Sequence, residues 1–183
     1  MQQYHHDEEA VALFLCRLHE KVCPFCGAQG TQVRHGYIYG AVAPDEYGIR
    51  AWRIFCDPES PHGVGCGRAP SIRLSRYLRR RCFTAEALWE FIQALASGVS
   101  VYAAAKSSGL GCTLRTVYRL HKRLDLCQSL WRTCLCSRSP PPGKERAGSP
   151  LLQAFAHLQE VFKGPCAVTQ YQETFQRDFL GLA

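Results

Sequence analysis

Acidic residues are scarce in this chain. Asp and Glu total 15 against 22 Lys and Arg, and there is one Met in 183 residues. No apolar run approaches the roughly 18 residues of a membrane span, and Met1 to Leu15 carries Asp7, Glu8 and Glu9 where a secretory leader would place Lys or Arg. The expected setting is therefore cytoplasmic and reducing, with no membrane partner. A phosphate-cradling glycine loop, a serine-centred elbow and a His-Glu-x-x-His helix are all missing from the sequence, so the commonest phosphoryl-transfer, acyl-transfer and metalloprotease chemistries lack their reacting groups. No internal repeat is found. These absences predict a protein that is not an enzyme and takes no small-molecule substrate.

Cysteine is what the chain has in plenty, with 11 residues. In a reducing compartment they serve as metal ligands or buried thiols rather than disulfides. Cys23-Pro-Phe-Cys26-Gly27 is the sharpest pattern: two thiolates two residues apart, on a turn favoured by Pro and Gly, can share one tetrahedral metal. Cys56 and Cys66-Gly67-Arg68 supply the second arm after 29 intervening residues, enough for short strands returning to the same point. That arm is expanded, because nine residues, Asp57 to Gly65, separate its cysteines. The spacing predicts one structural Zn²⁺ at Cys23, Cys26, Cys56 and Cys66. His62, inside the expansion, is the alternative fourth ligand, and Gly67 favours Cys66 by repeating the Cys-Gly turn. Cys127, Cys134 and Cys136, with or without Cys112, are candidates for a second metal site, but their spacings match no ribbon arm and the expectation is buried thiols. His5-His6 is expected to be solvated.

Positive charge concentrates in the middle of the chain. Residues 23 to 83 hold nine basic and four acidic groups, and residues 84 to 138 hold seven and three. Such a surface suits a polyanion, and DNA is the expected partner. The run around Leu74, Tyr77 and Leu78 contributes Arg73, Arg76, Arg79, Arg80 and Arg81, expected to position the protein on phosphates without reading sequence.

The predicted fold class is α+β: a small antiparallel zinc ribbon, then a helix-turn-helix three-helix bundle, then a C-terminal helical hairpin. Residues 1 to 22 are expected to form an N-terminal helix with Val11, Phe14, Leu15 and Leu18 at helical spacing, and residues 23 to 72 the ribbon. Residues 73 to 135 carry the basic connector, which could itself be helical, and the bundle. Thr84 caps a helix bearing Leu88, Phe91, Ile92 and Leu95; Ser100 caps a short second helix; Thr113 caps a third with Leu114, Val117, Leu120 and Leu124 on its apolar stripe. Residues 136 to 149, around Pro140-Pro141-Pro142-Gly143, are a linker. Residues 150 to 183 form the hairpin, with Leu151, Phe155, Leu158 and Phe162 facing Val168, Tyr171, Phe175 and Phe179. Such a short unit needs a further surface to bury eight large side chains, either the bundle or a second copy of the protein, and the expectation leans to self-association.

The third helix has the pattern of a recognition helix. It buries one stripe and presents Arg115, Thr116, Arg119, Lys122 and Arg123 for contacts to base edges and phosphates, after a turn at Gly109 about two residues longer than the tight form.

Cys23-Pro-Phe-Cys26-Gly27, Arg34-His35-Gly36-Tyr37, Arg53-Ile54-Phe55-Cys56 and Gly65-Cys66-Gly67-Arg68, followed by that helical pattern, resemble the N-terminal DNA-recognition modules of bacterial insertion-sequence transposases and related transposase-like zinc-ribbon proteins. The resemblance covers residues 23 to about 125. It implies zinc at the four named cysteines, DNA contact by the third helix, and a transposase as a further partner. A strand-transfer domain would need carboxylates holding two divalent metals, whereas the 58 residues after Asp125 offer Glu145, Glu160, Glu173 and Asp178 on a linker and helices. The expected role is a transposition accessory or transcriptional regulator without its own nuclease. A protein-interaction adaptor with a purely structural ribbon, or a non-functional transposase remnant, is the alternative; an RNA-binding ribbon is disfavoured because aromatic and basic residues do not interleave along one strand.

Overall fold

The computed structural model describes residues 2–43, 46–143 and 148–181. Glu145 and part of the expected linker lie outside them.

Four strands form one sheet: β1 (Gln2–His5), β2 (Gln32–Ala43), β3 (Glu46–Cys56) and β4 (Ser71–Leu74), in the spatial order β1-β4-β3-β2. Strands β2 and β3 pair antiparallel, as do β3 and β4. Strand β1 was not expected. It pairs parallel with β4, from Gln2 opposite Ser71 to His5 opposite Leu74, so the described part of this segment, residues 2 to 22, holds a strand, a helix and a short 3-10 turn rather than a helix alone. The connector also begins as a strand. In β4, Ile72, Arg73 and Leu74 are all buried, the continuous burial of an interior strand covered on both faces.

Helix α1 (Glu8–Cys16) starts where Asp7 accepts the Ala10 amide at 2.7 Å, with Glu8 and Glu9 in the first turn complementing the helix dipole. Its Val11 and Leu15 pack with Leu18, Ile54, Ile72, Leu74 and Tyr77 into a small core over one face of the sheet.

Helices α2 (Ala85–Ala96), α3 (Val101–Ser107) and α4 (Leu114–Leu135) follow the sheet, with α3 packed on both of the others. Thr84 and Ser100 cap α2 and α3 through the Ala87 and Ala103 amides. Thr113 stands at the cap position of α4, but its hydroxyl turns to Thr116 at 3.1 Å. At 22 residues, α4 is about 33 Å long. Val117, Leu120, Leu124, Cys127, Trp131 and Leu135 are buried along it at steps of three or four residues, while Leu114, assigned to that stripe from the sequence, is 46% exposed.

The tail helices α5 (Pro150–Val161) and α6 (Ala167–Phe175) close on the bundle of their own chain. Leu151, Phe155, Leu158, Val168, Tyr171 and Phe179 share one continuous core with α2 and α4. The surface that eight apolar side chains required is intramolecular, which removes the reason for expecting a second copy there. The tail also joins bundle to sheet: Tyr4 and Gln176 exchange two hydrogen bonds of 2.8 and 3.0 Å, and the Gln172 side chain donates to the Ser75 carbonyl at 2.6 Å.

Candidate metal centre and basic helix face

Cys23 and Cys26 sit on a turn that the backbone closes on itself. The Gly27 amide donates to the Cys23 carbonyl at 2.9 Å, and the Cys23 amide donates to the Ala28 carbonyl at 2.8 Å. Gly27 has φ +77°, in the left-handed region that glycine enters without a Cβ penalty. Cys56 and Cys66 repeat this arrangement. The Gly67 amide reaches the Cys56 carbonyl at 2.9 Å, the Cys56 amide reaches the Arg68 carbonyl at 3.0 Å, and Gly67 has φ +69°. The expansion between Cys56 and Cys66 therefore leaves the knuckle intact, because it leaves and re-enters at one point: the Gly65 amide donates to the Asp57 carbonyl at 3.1 Å. A Cβ on Gly65 would run into the backbone of Asp57 and Cys56. Residue 65 must be glycine for the two strands of this arm to lie so close.

The two arms face each other. Cys23 Sγ lies 3.8 Å from Cys66 Sγ, Cys26 Sγ lies 3.7 Å from Cys56 Sγ, and all four sulfurs are within 4.8 Å of one another. A disulfide would hold its sulfurs at about 2.05 Å. Four thiolates at about 2.3 Å from a central ion in tetrahedral geometry stand about 3.8 Å apart, and these separations fit that figure. The set can hold one metal ion, with every position filled by protein sulfur. His62 is exposed in the expansion and outside the cluster, so the fourth position belongs to Cys66.

Electrostatics favour the thiolate at Cys56. Burial pushes its thiol up, but the Thr31 hydroxyl at 3.2 Å, the Cys66 amide at 3.3 Å and the neighbouring Cys23 and Cys26 thiols together bring it down to about 7. Thr31, fully buried, has no sequence signal that would single it out. Outside the sulfurs, Arg68 lies over the Phe25 ring at 5.2 Å, joining the residue after one knuckle to a residue inside the other.

The basic residues separate into two groups. On α4, Arg115, Arg119 and Lys122 are exposed on one face, and Tyr118, 55% exposed, lies among them at steps of three and four residues. Sequence periodicity could have included Tyr118. Thr116 is half-buried against Thr113. Arg123 is engaged elsewhere: Nε donates to the Leu180 carbonyl at 2.8 Å and Nη2 to the Gly181 carbonyl at 2.9 Å, so it clamps the tail.

The arginine run is divided: one member is buried, Arg79 and Arg81 are half-buried, and Arg76 and Arg80 are exposed. Arg73 is buried, Arg76 pairs with Glu8 at 3.1 Å and lies over Tyr77, and the Arg79 amide donates to Asp178 at 3.2 Å. The Arg81 carbonyl receives the buried Arg50 guanidinium, which also donates to the Leu78 carbonyl at 3.1 Å. Arg80 is exposed. This run is the seam between sheet and bundle rather than a uniform open stripe.

The β2–β3 pair carries an exposed aromatic cluster to which the sequence pattern assigned no role. Tyr37, Tyr39 and Tyr47 are 52%, 54% and 76% exposed, with Tyr39 at 6.1 Å from Tyr37 and 6.4 Å from Tyr47 between ring centres. Comparison with protein-family models, curated proteins and solved structures returns no match.

Proposed function

We propose that this chain is a zinc-dependent DNA-binding protein of the mobile-element type, acting as a transposition accessory or transcriptional regulator without a nuclease of its own. Zinc suits four thiolates at tetrahedral spacing, and a site closed by four protein ligands is structural rather than catalytic. The ion would hold the two knuckles together and leave the chemistry of recognition to other surfaces. One observation supports DNA above other partners: the solvent face of α4 sets Arg115, Tyr118, Arg119 and Lys122 side by side, opposite a fully buried stripe, so a rigid helix presents bidentate donors outward. DNA contact by this face does not require most of the arginine run. Selection from a random DNA pool with purified protein, whose zinc content is set by elemental analysis, tests the proposal. A recovered consensus and one zinc per chain support it; a pool that stays random overturns the DNA reading, and zinc-free soluble protein overturns the metal reading.

A second reading, the protein-interaction adaptor, draws on the three exposed tyrosines of the β2–β3 hairpin. The two are separated by a salt titration of DNA binding, since phosphate contacts weaken steeply with ionic strength and aromatic protein contacts do not.

A further inference from the structure

Cys82 and Cys112 lie outside the metal cluster, yet their sulfurs are 3.7 Å apart. They are 30 positions apart in the chain, and each lies within three residues of the start of a helix. Cys82 stands two residues before Thr84, the cap of α2. Cys112 stands just before Thr113, at the cap position of α4, on the turn containing Gly109 and Gly111 with φ +63° and +61°. Among the described residues, no third His, Cys, Asp or Glu joins the pair to complete a metal site. Two thiols with no third ligand are suited to bonding with each other.

We propose that Cys82 and Cys112 are a dithiol modification site, oxidised to an intramolecular disulfide by a low-molecular-weight disulfide and restored by thiols. Cys82 is exposed and Cys112 half-buried, so an incoming oxidant meets Cys82 first. Its thiolate attacks one sulfur of the oxidant, forming a mixed disulfide as the oxidant's own S–S bond breaks and one thiol departs with a proton. The Cys112 thiolate then attacks Cys82 Sγ, the Cys82–Cys112 bond forms, the mixed disulfide breaks, and the second thiol departs with the second proton. The protein loses two electrons and two protons, and the oxidant becomes two thiols. Burial, together with the adjacent Cys82, pushes the Cys112 thiol up to about 11, so little of it is thiolate and it is a poor first nucleophile toward an oxidant in solution. The sulfurs close from 3.7 Å to about 2.05 Å, so the bond clamps the glycine-containing turn to the segment leading into α2. This site stands independently of the DNA-binding reading.

The test uses full-length, metal-loaded protein incubated with oxidised glutathione. The expected result is a mass loss of about 2 Da, retained metal, a linked peptide joining Cys82 to Cys112, and reversal by dithiothreitol. Amide exchange over residues 109 to 112 should slow about tenfold in the oxidised form. Cys82→Ser should abolish the linked species, while Cys16→Ser, at another exposed cysteine, should leave it unchanged. The proposal is overturned if Cys16 or Cys136 acquires glutathione but no Cys82–Cys112 peptide forms, or if Cys82→Ser still loses the same mass.

Discussion

The indole ring of Trp131 stacks on Phe179 at 4.4 Å between ring centres, and its Nε1 donates to the Phe179 carbonyl at 2.6 Å. One residue of α4 therefore holds the tail both by its face and by its edge. Together with Arg123 and Cys127, whose donors reach the Leu180 carbonyl at 2.8 and 3.1 Å, it makes the tail a structural part of the helix that carries the basic face.

Phe179→Ala should lower stability by about 3 to 5 kcal/mol, because both rings are fully buried and the cavity would open beside Trp131. Denaturant unfolding monitored by tryptophan fluorescence measures it. A loss below about 1 kcal/mol would show that the tail is not part of the cooperative core.

Gly65→Ala should weaken metal binding by distorting the second knuckle, since the added Cβ meets backbone rather than a movable side chain. Cys66→Ser should remove a ligand outright, while His62→Ala should leave metal affinity unchanged. Competition with a chromophoric chelator ranks the three variants. If His62→Ala lost the metal and Cys66→Ser kept it, the ligand set would be wrong.

Metal affinity should steepen in its pH dependence below about pH 7. The Cys56 thiol, ordinarily at 9.0, is brought down to about 7 in the fold, so its thiolate is favoured. The sign follows directly: the stabilisation is complete above 9.0 and is lost as pH falls through about 7. Chelator competition between pH 6 and 8 should show the slope of log affinity increasing by about one proton across that midpoint. Thr31→Val, which removes the hydroxyl, should move the break upward.

Arg115→Ala and Arg119→Ala should each cost about 1 to 3 kcal/mol on a selected DNA site and relax preference at one base position. Arg123→Ala should behave differently, lowering thermal stability with little effect on base preference, because both of its observed contacts are to tail carbonyls. Binding isotherms on selected and scrambled duplexes distinguish the cases. Uniform losses on both duplexes for Arg115 and Arg119 would make them phosphate contacts instead.

Local signals were legible where chemistry depends on close neighbours in sequence. The Cys-x2-Cys-Gly turn, the caps Thr84 and Ser100, and the buried stripe of α4 all follow from spacing and backbone preference. Long-range pairing was not legible in the same way. Strand β1 has four residues, too few for a period to show, and exists because β4 offers it an edge. Arg73, Arg76 and Arg123 resemble free basic residues in a string of letters, since charge alone does not reveal whether a carboxylate, ring or carbonyl will lie beside it.

What the sequence by itself determined is the set of possible ligands and amphipathic faces: which cysteines can share a turn, which helix buries one side, where caps and breaks fall. Only the tertiary structure decided which of these meet. It brought Cys56 and Cys66 together across nine intervening residues by closing the chain at Gly65, and placed both against Cys23 and Cys26. It turned Arg123 toward the tail while leaving Arg115 and Arg119 facing solvent. The physical reason is the same in each case. Turns and periods arise from backbone sterics within a few residues, whereas the partner of a side chain is set by the packing of segments distant in sequence, through the burial they share and the backbone groups they must satisfy.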